Sequence, residues 1–463
     1  MSRVTVIVAM LVVYLGIMFL VGLRGKKFSE SNSGMMTAAG QGTLIMVTGS
    51  YLGSHLGNGV VVGGAQYGAL YGIGGFWYGA GAAASYLLFG LVMSKAIYKK
   101  KYITVPDILK DAYVDKITVA LIAVLSAAGQ IAVAAGQITA GKLLFEYLGL
   151  NGTVGAFLTT AIVVIYSGMS GLWGVMMTDV IQSSVIFVVC ILGTIWLVAN
   201  GGFTVMKENL PASYYDFVPF DAETLIMMCG PGALNGLISA AGFQRTTSCK
   251  NEKTAVAAPY LGALLVVAFA ILPVFFGMYG LALTPDAPAN TIMFKVLLED
   301  FPPIMGGLLV CAIAAAVMST ADGCFLAASA NVVNDVYMKL IDPEGKASEQ
   351  KLANITRVAT YAVGLITTLI ALGGNMLIPM LSLSYSLVNA GALVMALGGV
   401  FWKKANKYGA WASFIAGEGT FALIKLGVIA PPAASIFPVL PSLIAFVIVC
   451  LATQNKDHNH AIA

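Results

Sequence analysis

Apolar runs long enough to cross a bilayer recur along the whole chain, separated by short polar loops. A membrane helix needs about 20 mostly apolar residues. Thirteen such segments fall at about 3–23, 42–66, 72–97, 118–148, 152–169, 175–200, 223–243, 255–284, 303–337, 354–373, 376–401, 408–430 and 434–452. This pattern predicts an all-α polytopic membrane protein with about thirteen transmembrane helices. The longest loops, near 201–222 and 285–302, hold no motif of a separate domain, so residues 1–463 read as a single transmembrane domain. The first segment lies between Arg3 and the Arg24, Lys26, Lys27 cluster, and no cleavage site follows it. It reads as a retained span, not a signal peptide.

Composition strengthens this picture. Of the 463 residues, 59% are hydrophobic and 10% charged, against about 25% charge in soluble domains. The 52 glycines are scattered through apolar runs, where small residues let membrane helices approach closely or unwind. Cys190, Cys229, Cys249, Cys311, Cys324 and Cys450 match no zinc or redox spacing and read as buried free thiols.

The net charge of +4 matters less than its placement. With the N-terminus outside, the inner loops hold Arg24 to Lys27, Lys95 to Lys116, Arg245 to Lys253, Lys339 to Arg357 and Lys403 to Lys407, and the tail holds Lys456. Together these are 20 of the 25 basic residues. The positive-inside rule therefore predicts a plasma-membrane protein with its N-terminus outside and its C-terminus cytoplasmic. No Walker loop, dinucleotide fingerprint or metalloprotease helix is present. An enzyme, an organic cofactor and a nucleic-acid partner are not expected, and no obligatory protein partner is evident.

Two segments carry breaks at matching positions. Residues 49–59 place four glycines (Gly49, Gly53, Gly57 and Gly59) inside one span. The span at 223–243 contains Cys229-Gly230-Pro231-Gly232, where proline removes a donor and crowds the preceding turn. Five spans separate their starts, so 42–200 and 223–401 are candidate inverted repeats, each opening with a broken helix. Unwound backbone in a bilayer must find partners, and a bound cation and a polar solute supply them. The alternative is close packing and a proline kink.

The ninth segment reads Ala316-Val-Met-Ser319-Thr320-Ala-Asp322-Gly323, with Ala327-Ala-Ser329 following. Ala316, Ser319 and Thr320 share one helix face and offer neutral oxygens suited to a monovalent hard cation. This stretch resembles the most diagnostic helix of the sodium/solute symporter family, the group with sodium-coupled proline, pantothenate, sialic acid and sugar transporters. Gly171-Leu-Trp-Gly-Val-Met-Met-Thr178-Asp179 with Gln182, Gln244-Arg245 with Lys250 to Lys253, and Thr104-Val-Pro106-Asp107 resemble further family landmarks, in family order.

The resemblance implies a leucine-transporter-type five-plus-five inverted repeat. One extra N-terminal helix (3–23) and two extra C-terminal helices (408–452) would flank it. It implies sodium as the coupling ion, held by the carbonyls of Gly53, Leu56 and Ala316 and the hydroxyls of Ser319 and Thr320, with Asp179 in support. Some members bind a second sodium through serines just after the Ser/Thr pair; here Asp322 and Gly323 stand in those places. Asp322 either helps hold a cation or hydrogen-bonds a neighbouring helix.

Candidate solute residues are His55, Asn58, Gln130, Gln137, Ser239 and Tyr385, with Ser384 and Asn389 as weaker candidates or helix glue. His55 either touches solute, carries protons, or is a neutral imidazole bonded to a freed carbonyl. Gln130 and Gln137 are seven apart and share a face. Glu418 lies outside the proposed repeats and reads as a packing or oligomer contact. The expected activity is sodium-coupled import of a small polar solute, such as an amino acid or small carboxylate, across the lipid bilayer. The rivals are a proton-coupled transporter on the same fold, a transporter-like sensor and a channel. The chain ends about ten residues after its last span, with no kinase region, which disfavours the sensor.

Overall fold

The computed structural model describes residues 2–373 and 377–454, leaving out the side chains of 58, 297, 298 and 377–380. Among the described residues the elements are helical, with one isolated bridge between Gly42 and Cys249.

Helix α1 (Arg3–Leu23) opens on Ser2, whose side chain accepts the Thr5 amide. Its buried residues Ile7, Leu11, Tyr14, Met18 and Gly22 form one stripe, while Val12, Val13, Ile17 and Leu20 are exposed. A helix apolar on both its packed and its open face is suited to lipid. Next come α2 (Leu44–His55) and α3 (Val61–Tyr71), separated at Gly57, where φ −43° and ψ 179° leave helical geometry. Helix α4 (Phe76–Leu88) follows a glycine turn. Surface helix α5 (Val105–Tyr113) carries a capping box in which Asp107 accepts the Thr104 amide at 3.0 Å. Helix α6 (Lys116–Tyr147) is capped by Asp115.

The segments expected at 152–169 and 175–200 are two helices that meet at Gly171 without a loop between them, together labelled α7 (Gly152–Ala199). The bend falls at Gly171, with φ +59° and ψ −163°, a conformation reserved for glycine. A Cβ there would also lie 2.8 Å from Met35 Cα.

Helix α8 (Ala222–Gly236) corrects the predicted position of the second break. The helix continues through Pro231, and the chain leaves helical form only at residues 237–239, before α9 (Ala240–Thr247). A proline in a helix lacks one donor, which leaves the carbonyl of Met227 without its intrahelical partner, and the Pro231 carbonyl itself accepts from Asn389 Nδ2 at 3.0 Å. Ser239 then caps α9 by accepting the Gly242 amide.

Helix α10 (Glu252–Leu283) contains Pro259 and Pro273. Helix α11 (Pro303–Ala330) is the axis of the fold: from Leu309 to Ala330 every residue is buried. It packs on α7, α6 and α1 and on the turn between α2 and α3. The chain closes with α12 (Glu349–Gly373), α13 (Leu377–Val388), α14 (Val394–Phe401), α15 (Lys407–Lys425) and α16 (Val439–Ala452).

Nine helical stretches among the described residues are long and apolar enough to cross a membrane. Three of the four missing from the thirteen apolar segments have visible causes. The break at Gly57 halves one segment, two others meet without a loop at Gly171 and count as one stretch, and α16 has only 14 residues.

Candidate functional site

The residues singled out in α2 and α11 come together at the fold's centre. Ser319 Oγ donates to the Gly53 carbonyl at 2.9 Å and lies 3.3 Å from the Ala316 carbonyl. Thr320 Oγ1 donates to the Ser54 carbonyl at 3.3 Å. Leu56 is buried at the start of the non-helical turn. That turn touches α11 so closely that a Cβ on Gly57 would collide with Thr320 Oγ1. Two hydroxyls and three carbonyls therefore face each other across a helix pair, without a carboxylate among them.

A charged cluster lies beside this pair. Asp179 in α7 pairs with Arg245 in α9 at 3.5 Å, both side chains 0% exposed. Ser50 bridges them, donating to Asp179 Oδ2 and accepting from Arg245 Nε at 2.8 Å. A Cβ on Gly53 would lie 2.9 Å from Asp179 Oδ1, so the carboxylate flanks the α2–α11 contact. Asp322 accepts from Tyr166 at 2.5 Å and from the Gly323 amide at 2.6 Å. Asp322 thus hydrogen-bonds a neighbouring helix through Tyr166 of α7.

Arg245 is a second correction. Expected in an inner loop, it is fully buried, because α9 resumes at Ala240 and carries it into the core. It is a structural charge, not a marker of membrane orientation.

Five of the six expected solute residues line one central cavity of about 1190 Å³, counting its open mouth: His55, Gln130, Gln137, Ser239 and Tyr385. Asn58 lies outside the described side chains. His55 Nε2 and Ser85 Oγ are 2.7 Å apart, and Ser85 donates its single proton to the Ala82 carbonyl at 2.6 Å. Ser85 therefore accepts from His55, which carries its proton on Nε2. Of the weaker candidates, Ser384 donates to the Gly129 carbonyl at 2.8 Å and Asn389 bonds Pro231, so both tie helices together. Glu418 packs against Gly391.

The sequence reading missed the cavity's aromatic wall. Tyr51, Tyr67, Tyr78 and Tyr86 line it with Tyr385. Tyr67 stacks on Tyr78 with centroids 4.8 Å apart, and His55 lies 3.9 Å from Tyr86. The only available signal was the spacing of Tyr67, Tyr78 and Tyr86 around glycine-rich turns, which is not specific. Thr320 also lines the cavity, so one side chain belongs to both the helix contact and the cavity.

A model of the sodium:solute symporter family matches residues 35–417, and the chain belongs to that family. It is 27% identical over 337 residues to a sodium/pantothenate symporter of Haemophilus influenzae. That match covers 68% of this chain and 66% of the relative, just under two thirds of its length. It is 24% identical over 450 residues to the human high affinity choline transporter 1, covering 89% and 75% of the two chains. A substrate-bound, outward-open structure of a Na+-coupled sialic acid symporter has the same fold. Its TM-score is 0.81 at 18% identity, covering 96% of this chain and 98% of that one.

Proposed function

We propose that this protein imports a small polar organic solute together with sodium by alternating access. The observation that carries this reading is the meeting of Ser319 and Thr320 with the carbonyls of Gly53 and Ser54 at a helix break. Hydroxyl rotors turn their lone pairs to a cation at little cost, and carbonyls of an unwound segment are natural ligands for sodium. Gly53, Leu56, Ala316, Ser319 and Thr320 form the ion site, with Asp179 in support. The solute binds in the adjoining cavity, against His55, Gln130, Gln137, Ser239 and Tyr385. Family membership supports sodium coupling, and the names of the relatives, which include pantothenate and choline, support a small solute.

In this reading thirteen helices cross the plasma membrane with the N-terminus outside. Residues 42–200 and 223–401 are the inverted repeats. Sodium bridging α2 and α11 stabilises the outward-facing state, and because Thr320 serves both sites, ion and solute raise each other's affinity equally. One sodium moving down 100 mV releases about 2.3 kcal/mol, and a tenfold gradient adds about 1.4 kcal/mol. Together these concentrate a neutral solute roughly 500-fold.

The test is uptake into proteoliposomes of labelled amino acids, carboxylates, vitamins and amines, at fixed pH, under an inward sodium gradient or with potassium in its place. Uptake of at least one solute in sodium alone is expected. Undiminished uptake in potassium overturns the coupling and favours protons.

A further inference from the structure

Arg245 lines the central cavity that the reading above gives to the solute. A guanidinium keeps its charge whatever state its neighbours adopt, and it carries five N–H donors in a fixed fork. Here that fork is only partly used. Nε donates to Ser50 at 2.8 Å, and Nη2 reaches Asp179 at 3.5 Å. Nη1 has no hydrogen-bond partner, although the side chain is fully buried. A charged donor left in this way is costly, so it gains from any acceptor that the cavity admits. Gly323 lines the same cavity, and a Cβ there would lie 3.0 Å from Nη2 and 3.7 Å from Nη1. The glycine therefore leaves the end of the guanidinium bare where a side chain would cover it. Helix α9, which carries Arg245, begins where Ser239 and Ala241 line the cavity, so the positive end of its dipole faces the same space.

The rest of the lining selects among solute charges. Among the described residues no Asp or Glu lines the cavity, so an ammonium group there would meet a guanidinium and otherwise neutral side chains. Tyrosine rings attract cations, but like charge on Arg245 opposes that attraction in the same space. The Tyr51 hydroxyl is bonded to Gly242 and Thr246, and the Tyr86 hydroxyl to the Tyr51 carbonyl. What these two residues offer a solute is ring surface, which suits a flat apolar body.

We propose that Arg245 is the anchor for a solute carboxylate, received at its Nη1–Nη2 edge beside Gly323. The solute is then a carboxylate without an ammonium group, its apolar body lying against the tyrosine wall. Ser50 and Asp179 hold one side of the guanidinium, and the bound anion completes the other. The assignment rests on the import reading above and narrows its solute from small and polar to one chemical class.

Thermal-shift titration of the purified full chain in sodium tests this with matched probes. Propionate is compared with propionamide and benzoate with benzamide, with phenylalanine as a zwitterion and benzyltrimethylammonium as a cation. At least one carboxylate is expected to raise the Tm and to bind at least about tenfold more tightly than its amide, as hydrogen bonds to a charged group require. In Arg245→Gln that preference is expected to vanish. A merely structural arginine would weaken both members of a pair alike, so an unchanged ratio in the folded variant overturns the proposal. Should Arg245→Gln not fold, Gly323→Ala sets a methyl group against the guanidinium and is expected to shrink the same ratio several-fold; an unchanged ratio there is equally contrary. Tighter binding of benzyltrimethylammonium or phenylalanine, or no response to either carboxylate, overturns the anchor and leaves sodium-coupled import standing. Carboxylate binding that is equal with potassium in place of sodium overturns the sodium reading and leaves the anchor standing.

Discussion

The Ser319 hydroxyl and the Gly53 carbonyl, 266 positions apart in sequence, are joined by a 2.9 Å hydrogen bond at the centre of the bundle. That bond ties the buried stretch of α11 to α2, the first half of the broken helix, one residue from the Thr320–Ser54 bond. Motion of α2 against α11 therefore has to break both contacts together, which makes the pair a natural place to couple ion binding to rearrangement.

Gly57 is where this contact tolerates no side chain. A Cβ there collides with Thr320 Oγ1, whereas at Gly59 its nearest neighbours are Tyr78 Oη at 3.4 Å and Leu381 Cδ1 at 3.5 Å. Overpacking of this kind costs about 1–3 kcal/mol. Gly57→Ala is expected to lower the Tm and abolish its rise with added sodium, while Gly59→Ala keeps the sodium response. A Gly57→Ala protein with a wild-type sodium response would show that the approach of the two helices is not needed.

Asp179→Asn removes one partner of a fully buried ion pair. Breaking such pairs costs about 3–5 kcal/mol because the other charge is stranded. A lower Tm in sodium-free buffer and weaker sodium binding are expected together. Unchanged sodium affinity in the folded variant would remove Asp179 from its supporting role.

Away from the central site, Asp107 on α5 holds Lys339 at 2.5 Å. Burial pushes the Asp107 carboxyl up, but Lys339 and the Ile103 and Thr104 amides outweigh it and hold the group below its ordinary 3.8. A carboxyl depressed in the folded state stabilises above its unfolded value and loses that contribution as pH falls through its folded value. Asp107→Asn is thus expected to lower the Tm at neutral pH and to flatten the loss of stability below about pH 4. Parallel Tm–pH curves for the two proteins would argue against this pair as a source of acid sensitivity.

On the proposed assignment, variants of the cavity residues separate solute binding from ion binding. With a solute identified by the uptake panel, Gln130→Ala and Tyr385→Phe are expected to raise its KM several-fold, with sodium binding retained. An unaltered KM in both variants would place the solute elsewhere.

Much of this site was legible because its chemistry is concentrated in short motifs. Ser319 and Thr320 sit on one helical turn, and the four glycines at 49–59 mark the break that meets them. What the sequence concealed depends on tertiary choice. Pro231 looks like the break, yet α8 runs past it to Gly236, and the chain turns just before Ala240 instead. Arg245 follows an apolar run and precedes lysines, so it resembles a loop residue, and only its partners Ser50 and Asp179 reveal a core charge. The tyrosine wall is drawn from α2, α3, α4 and α13, and no single segment displays it. Gly171 belongs to a recognisable motif, but its role as the bend in α7 follows from a backbone conformation that spacing does not encode.

Equilibrium 22Na+ binding to purified wild type, Ser319→Ala and Thr320→Ala, with folding checked by Tm, tests the central claim most directly. Sodium affinity is expected to fall at least about tenfold in each variant, equivalent to about 1.4 kcal/mol. Wild-type sodium affinity in two well-folded variants would contradict the assignment of the ion site to α2 and α11.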